Sequence, residues 1–297
     1  MMEHEHKHKQ HEHDLAAIEW QDKHKHLDRI LRQAGTITIT PLMQGMEAET
    51  VKVVTDTDSY VLKIWSRDSK PDIRLQYQAL NLLYAQGVSV SKPIGWGINA
   101  NGDSVLLTTF DGEPLRDGNN QTMKEIANLL DRVHRISPEE FRTQIQLPRH
   151  DFSKYFFPGK QAHSDLHPLL EQLVELAAPK HERIIHGDYH LGNLVEKAGQ
   201  LTVIDWTNVQ LGDARYDFAW SLTLQQIYIP EHFAEVFRDT YLAINEIPQE
   251  ELDVFQALAC LRWILLYRNG GIPMGPDTLD RVQRLLTSNP HLHGVTC

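Results

Sequence analysis

The hydrophobic period of this chain changes once, near Gly112, and that change bounds what it can fold into. From residue 36 to 110 the pattern is mainly that of strands. Thr36-Ile37-Thr38-Ile39-Thr40 has period two, and 50–55 and 60–65 follow across the polar turn Asp56-Thr57-Asp58-Ser59. The spacing predicts a helix over 71–86, with Ile73, Leu80 and Leu83 inward and Gly87 closing it. Strands are predicted at 94–98 and 104–109, joined by the turn Asn99-Ala100-Asn101-Gly102. After Gly112 the period becomes helical, at 122–136, 164–177, 213–228, 231–245, 250–267 and 277–286, with Pro138, Pro148, Pro158 and Pro230 between. The expected class is α+β: a small antiparallel sheet with one inserted helix over 14–110, then a larger, mainly helical part over 111–297.

The N-terminal segment departs from both patterns. Residues 1–13 carry five histidines among Glu and Lys and hold nothing apolar beyond Met1 and Met2, so a disordered tail is expected, with metal binding as its one candidate activity. Asp14 can cap a helix on which Leu15, Ile18, Leu27, Ile30 and Leu31 share a face, ending at Gly35.

Charge and composition exclude several partners. Lys plus Arg is 29 against 40 Asp plus Glu, a net charge of −11, which is the wrong sign for a nucleic-acid backbone. The most apolar stretch, 254–267, is short and interrupted by Gln256 and Arg262, so it reads as a buried core helix rather than a membrane span. With no apolar leader at the start, and only Cys260 and Cys297 as cysteines, the expected location is the cytoplasm.

Chemistry concentrates at 184–217. Ile184-Ile185 leads into His186-Gly187-Asp188-Tyr189-His190-Leu191-Gly192-Asn193, and a turn at 197–200 then returns the chain through Leu201-Thr202-Val203-Ile204 to Asp205. Carboxylates at the ends of apolar strands are costly without a cation, a donor or water. The five-residue spacing lets a loop aim Asp188 at a substrate hydroxyl while Asn193 faces a metal. Asp205, one hairpin later, adds a second hard oxygen ligand suited to Mg²⁺ shared with phosphate oxygens. Upstream, Lys63 sits inside an apolar strand, where it could reach nucleotide phosphates. Gly45 is the single glycine of the loop 43–49.

His186-Gly187-Asp188 followed by Asn193, and then Ile204-Asp205-Trp206, resembles the aminoglycoside phosphotransferase and choline kinase family, which has a bilobal protein-kinase-like fold. The segments 212–219, 129–134, 87–93 and 106–115 resemble that family too, so the likeness spans roughly 36–290. It implies an ATP-dependent small-molecule kinase, with ATP between an N-lobe and a C-lobe. Asp188 would accept or orient the proton of the acceptor hydroxyl, and Asn193 and Asp205 would hold Mg²⁺. Lys63 would pair the nucleotide phosphates, Gly45 would belong to the phosphate loop, and Thr108, Thr109 and Phe110 would read the adenine edge through their backbone. His186, Asp213 and Asp217 would support the loop, while Tyr189 and His190 receive no catalytic role. The family's usual helix Glu is replaced here by Gln76 or Gln78, so Lys63 is expected either to lack an anionic partner or to find one elsewhere, at Glu47, Glu49 or Asp72.

The acceptor implied is a small-molecule hydroxyl, first an amine-bearing antibiotic of the aminoglycoside type, whose modification would confer resistance. A net charge of −11 favours a cation. Choline, a sugar and homoserine are alternatives within the class, and a nucleotide-binding regulatory homologue is an alternative outside it. Asp165, Glu171 and Glu175, with Tyr155, Phe156, Phe157, Trp206 and Trp220, are candidates for an acceptor pocket because carboxylates and aromatic faces together suit amines.

Overall fold

The computed structural model describes residues 14–32, 37–42, 48–115 and 118–297, so the histidine-rich segment 1–13 and the loop glycine Gly45 lie outside the described residues. The chain forms two compact units: one runs up to Glu113 and takes back Val195–Thr207, and the other comprises Pro114–Leu194 and Asn208–Cys297. The first therefore includes a hairpin that a simple division at residue 110 leaves with the helices.

The first unit is built on an antiparallel sheet. Its strands, β1 (Glu19–Lys23), β2 (Thr38–Pro41), β3 (Glu49–Val54), β4 (Ser59–Trp65), β5 (Pro93–Ile98) and β6 (Ser104–Thr109), lie in the order β1-β5-β6-β4-β3-β2. On one face Val51, Val53, Leu62, Ile64, Val105 and Leu107 bury against Leu15, Ile18, Leu27 and Ile30, the last two from helix α1 (His26–Arg32). Alternation then places Lys63, between Leu62 and Ile64, on the opposite face, paired in register with Leu106. Helix α2 (Ile73–Ala85) packs on β5 and β6, with Asp72 capping it through a 2.9 Å bond from the Leu75 N–H.

The helix expected from Asp14 to Leu31 does not form. Asp14 caps only a single 3₁₀ turn, Leu15–Ala17, and β1 follows before α1 begins. No apolar residue lies between Trp20 and Leu27, so a helix there would leave its inner face polar. As a strand the segment instead buries Ile18 and packs Trp20 against the core. The partner strand is shaped for this. Trp20 pairs with Gly97, where a Cβ would stand 2.5 Å from the Glu19 carbonyl oxygen, so only glycine allows the approach.

The recovered hairpin, Leu194–Lys197 with Gln200–Val203, is tied to the segment after α2. The Ser89 hydroxyl donates to the Leu201 carbonyl at 2.6 Å and the Val203 N–H to the Ser89 carbonyl at 2.9 Å.

The second unit is mainly helical: α3 (Asn120–Arg135), α4 (Pro138–Arg142), α5 (Phe152–Phe156), α6 (His167–Ala177), α7 (Ala214–Tyr228), α8 (Glu231–Leu242), α9 (Gln249–Arg268) and α10 (Thr278–Ser288). Helix α9 packs on α6 and α7, and α3 on α8. A two-stranded ladder, β7 (Arg183–Ile185) with β8 (Gln210–Gly212), sits at the start of the chemical segment. Among the described residues no helix is long and apolar enough to cross a membrane.

Candidate active site

In the sheet unit the structure brings Lys63 and Asp205 together, with Nζ 3.2 Å from Oδ1. Asp205 follows the hairpin in a left-handed backbone conformation, φ 63°, which an L-residue other than Asn or Asp adopts only at a cost. The Thr207 hydroxyl donates to the same Oδ1 at 3.3 Å. Asp205 was not among the partners expected for Lys63. Of those, Asp72 is engaged in capping α2 and Glu47 lies outside the described residues. Gln76 is buried, and its side-chain carbonyl has no hydrogen-bond partner among the described residues.

The residues expected to read the adenine edge, Thr108, Thr109 and Phe110, lie at and just after the end of β6. The Thr109 N–H donates to the Lys92 carbonyl and the Phe110 N–H to the Ser59 carbonyl, each at 3.0 Å. Thr108 pairs with both neighbouring strands. The Thr109 and Phe110 N–H groups are thus engaged, and Thr109 belongs to an interior strand. The Thr109 hydroxyl accepts from the Lys92 N–H and donates to Asp111, and the Phe110 ring faces the Lys52 ammonium at 3.5 Å.

In the helical unit β7 ends on His186-Gly187-Asp188. Gly187 has φ +79°, and a Cβ there would meet Asn208 at 2.9 Å, so the turn that aims Asp188 requires glycine. Two backbone donors of this turn, His186 N–H and Gly187 N–H, each donate at 2.9 Å to the buried Asp217 carboxylate on α7. Asp217 also accepts from His134 Nε2 at 3.1 Å, and His134 Nδ1 lies 2.6 Å from the Tyr241 hydroxyl. Since a carboxylate can only accept, His134 carries a hydrogen on Nε2, and its Nδ1 is joined to the Tyr241 hydroxyl. Burial pushes the Asp217 carboxyl up, but the hydrogen bond and charge of His134, with the field of His186, outweigh it and hold the group below the usual carboxylate range. His186 is fully buried and accepts the Asp188 N–H on Nδ1 at 3.2 Å. Asp213 caps α7, accepting the Arg215 N–H, and also accepts the Lys180 N–H and the Nε and Nη2 of the Arg215 guanidinium.

Asp188 itself is held by three side chains. Trp220 Nε1 donates to Oδ1 at 2.8 Å, Arg262 Nη2 lies 3.6 Å from that oxygen, and His190 Nε2 lies 3.5 Å from Oδ2. Burial raises the carboxyl, yet His190, Arg262 and Trp220 together hold it well below the usual range, so it is ionised at neutral pH. Asn193 donates its amide N–H to the Asp188 carbonyl at 3.0 Å, which leaves its own side-chain oxygen as the atom that can face a cation. Tyr189, buried, pins the loop to α3 by donating to the Ile126 carbonyl at 2.9 Å.

The acceptor candidates fare unevenly. Trp206 is fully buried and donates to the Val203 carbonyl, so it is core rather than a pocket wall. Asp165 receives both terminal guanidinium nitrogens of Arg268, at 3.0 and 2.8 Å, and its charge is balanced. Glu171 is bonded to Lys160. Phe156 and Phe157 belong to a buried aromatic cluster with Phe152 and Tyr216. Tyr155 stacks on His150 at 4.4 Å and donates to Asn208. The side chains that do meet Asp188 include two, His190 and Arg262, that sequence reasoning passed over. Arg262 did leave a signal: a charge inside an otherwise apolar helix needs a buried partner.

The sequence profile of the phosphotransferase enzyme family matches residues 38–258, which spans the strand lysine and the entire His186–Asp217 segment. The chain belongs to that family. No curated protein matches the sequence. Among solved structures, this phosphotransferase is similar to the choline kinase of Streptococcus pneumoniae at 15% identity, covering 91% of this chain and 100% of that one with a TM-score of 0.57. It is similar to the Plasmodium vivax ethanolamine kinase at 16% identity, covering 87% and 84% with a TM-score of 0.58. A thermostable mutant of the aminoglycoside phosphotransferase APH(4)-Ia matches at 13% identity, covering 90% and 99% with a TM-score of 0.62. At these identities the likeness is one of fold, and it is the protein-kinase-like fold expected from the motifs.

Proposed function

We propose that this phosphotransferase moves the γ-phosphoryl group of ATP to a hydroxyl of a small molecule, with Asp188 orienting that hydroxyl. The acceptor oxygen attacks the γ-phosphorus, the bond from the γ-phosphorus to the β-bridging oxygen breaks, ADP leaves, and the hydroxyl proton passes to Asp188 and then to solvent. The observation that carries the reading is the Asp188 carboxylate, kept ionised by three donors at the end of a buried strand. An anion so stabilised is a weak base but a firm hydrogen-bond acceptor. Phosphoryl transfer through a loose transition state needs orientation of the nucleophile more than early proton removal. In the same reading Lys63 neutralises nucleotide phosphates, while Asp205 and Asn193 offer hard oxygen atoms to a divalent cation.

Those donors fit Mg²⁺. Among the described residues no group of three or more His, Cys, Asp or Glu could form a closed metal cage. A carboxylate such as Asp205 and an amide oxygen such as Asn193 are each donors that suit Mg²⁺, which takes much of its shell from phosphate oxygens and water. When bound, it supplies charge neutralisation at the phosphates. Related structures support this partner set: the APH(4)-Ia protein was solved with AMP-PNP and hygromycin B, and amicoumacin kinase with AMP-PNP and Ca²⁺. The proposed setting is the cytoplasm. The chain's charge of −11 favours an amine-bearing acceptor, so aminoglycosides are the first class to try, then choline, ethanolamine, sugars and homoserine.

ADP release measured over that panel with Mg²⁺ and ATP tests the proposal. At least one acceptor should raise ATP consumption well above the background with no acceptor. Nucleotide binding without turnover on any acceptor would favour a regulatory role, and absence of both would overturn the reading.

A further inference from the structure

Arg262 stands in the second half of α9, a largely buried helix, with Ala259, Leu261, Trp263 and Ile264 fully buried beside it. Its own side chain is only 13% exposed. Burying a guanidinium is expensive, and a well-packed apolar residue of similar size would do better if packing were all that mattered. The surroundings use the planar shape of the group. One face lies 4.0 Å from the Trp220 ring and the group is also 5.0 Å from the Phe156 ring. Its edge donates to the Gly187 carbonyl at 3.2 Å and reaches Asp188 Oδ1 at 3.6 Å. Trp220, against which it stacks, donates to that same oxygen at 2.8 Å.

We propose that Arg262 and Trp220 form a clamp that fixes the Asp188 carboxylate, one of its oxygens held by both and the turn before it held by the arginine. The assignment rests on the phosphotransferase reading and makes both side chains positioning residues. Two physical needs meet here. The acceptor hydroxyl must be held in one orientation for in-line attack, and a loosely held carboxylate cannot do that. An anionic carboxylate also repels an incoming polyphosphate, and a cation at ion-pair distance offsets that repulsion. Lysine cannot replace arginine, because an ammonium has neither the flat face for Trp220 nor a second edge for the Gly187 carbonyl.

The test uses the full chain and whichever acceptor stimulates ADP release. Arg262→Lys keeps the charge and should lower kcat by roughly 10- to 100-fold, the scale of a misplaced reacting group. KM for ATP should stay within about threefold, since nucleotide contacts are untouched. Trp220→Phe keeps the ring but removes the N–H and should act in the same direction. The decisive arm repeats Arg262→Lys on an Asp188→Asn background. A clamp acting through Asp188 should then cost little further activity, whereas a merely structural arginine would cost its full factor again. Arg262→Lys activity within twofold of the parent, or an undiminished loss on the Asp188→Asn background, overturns the clamp. Should Arg262→Lys fold poorly, Trp220→Phe on the two backgrounds gives the same comparison. A parent protein without acceptor-dependent turnover overturns the phosphotransferase reading itself, so the two failures are distinct.

Discussion

Replacing Asp217 by Asn should cost stability in an amount set by three hydrogen bonds. The buried carboxylate accepts His186 N–H and His134 Nε2 on one oxygen and Gly187 N–H on the other. An amide can keep its oxygen toward the first pair, but its NH₂ then confronts the Gly187 N–H, leaving one buried donor unpaired against two others. The cost of such an orphan is about 2–3 kcal/mol. At about 2–4 °C per kcal/mol for a chain of this size, Tm should fall by about 4–12 °C at pH 7. Asp217→Ala strands all three donors and should cost about 3–9 kcal/mol, enough to unfold a protein of ordinary stability. The pH dependence has a definite sign. The folded carboxyl lies below its unfolded value of about 3.9, so its contribution is complete above that pH and disappears as pH falls through the lower, folded value. The Tm gap between parent and Asp217→Asn should therefore be flat from pH 7 to 5 and narrow below about 4. Calorimetry at pH 7, 5 and 3.5 reads it. A gap under about 1 °C at pH 7, or one that widens on acidification, would refute the reasoning.

Two further perturbations follow from the sheet unit. Lys63→Met should reduce kcat/KM for ATP by roughly two orders of magnitude through loss of phosphate neutralisation. It should move Tm by no more than about 2 °C, because a partly exposed ion pair contributes about 0–1 kcal/mol; nucleotide titration calorimetry with thermal melts separates the effects. Gly97→Ala forces a Cβ against the Glu19 carbonyl oxygen and should destabilise by roughly 1–3 kcal/mol. Amide exchange over 19–23 should lose protection first, because β1 is the strand displaced.

Period-two alternation over 38–65 and helical spacing after residue 119 located most elements to within a few residues, because both faces of each are set by burial. The failure at 14–31 is instructive: two apolar residues, Ile18 and Trp20, carry little periodicity, and the strand that begins after Ile18 depends on glycines in β5, some 75 positions away. In the candidate site, the motif residues stood out because glycine and carboxylates cluster at strand ends. The partners of those residues did not. Lys63 meets Asp205 only because the 195–207 hairpin joins the sheet unit, and Arg262 meets Asp188 only because α9 packs on α7. Such pairings are made by tertiary packing, which spacing along a chain does not encode. Trp206 shows the reverse error, an aromatic beside a functional aspartate that serves the core.

The most direct measurement compares Asp188→Asn with the parent protein under saturating ATP, Mg²⁺ and acceptor, alongside nucleotide affinity. An orienting carboxylate at that position predicts a kcat lowered by roughly 100-fold or more, with nucleotide Kd and Tm nearly unchanged. Turnover retained within a few-fold would remove Asp188 from the reaction and contradict the proposed transfer to a hydroxyl held against it.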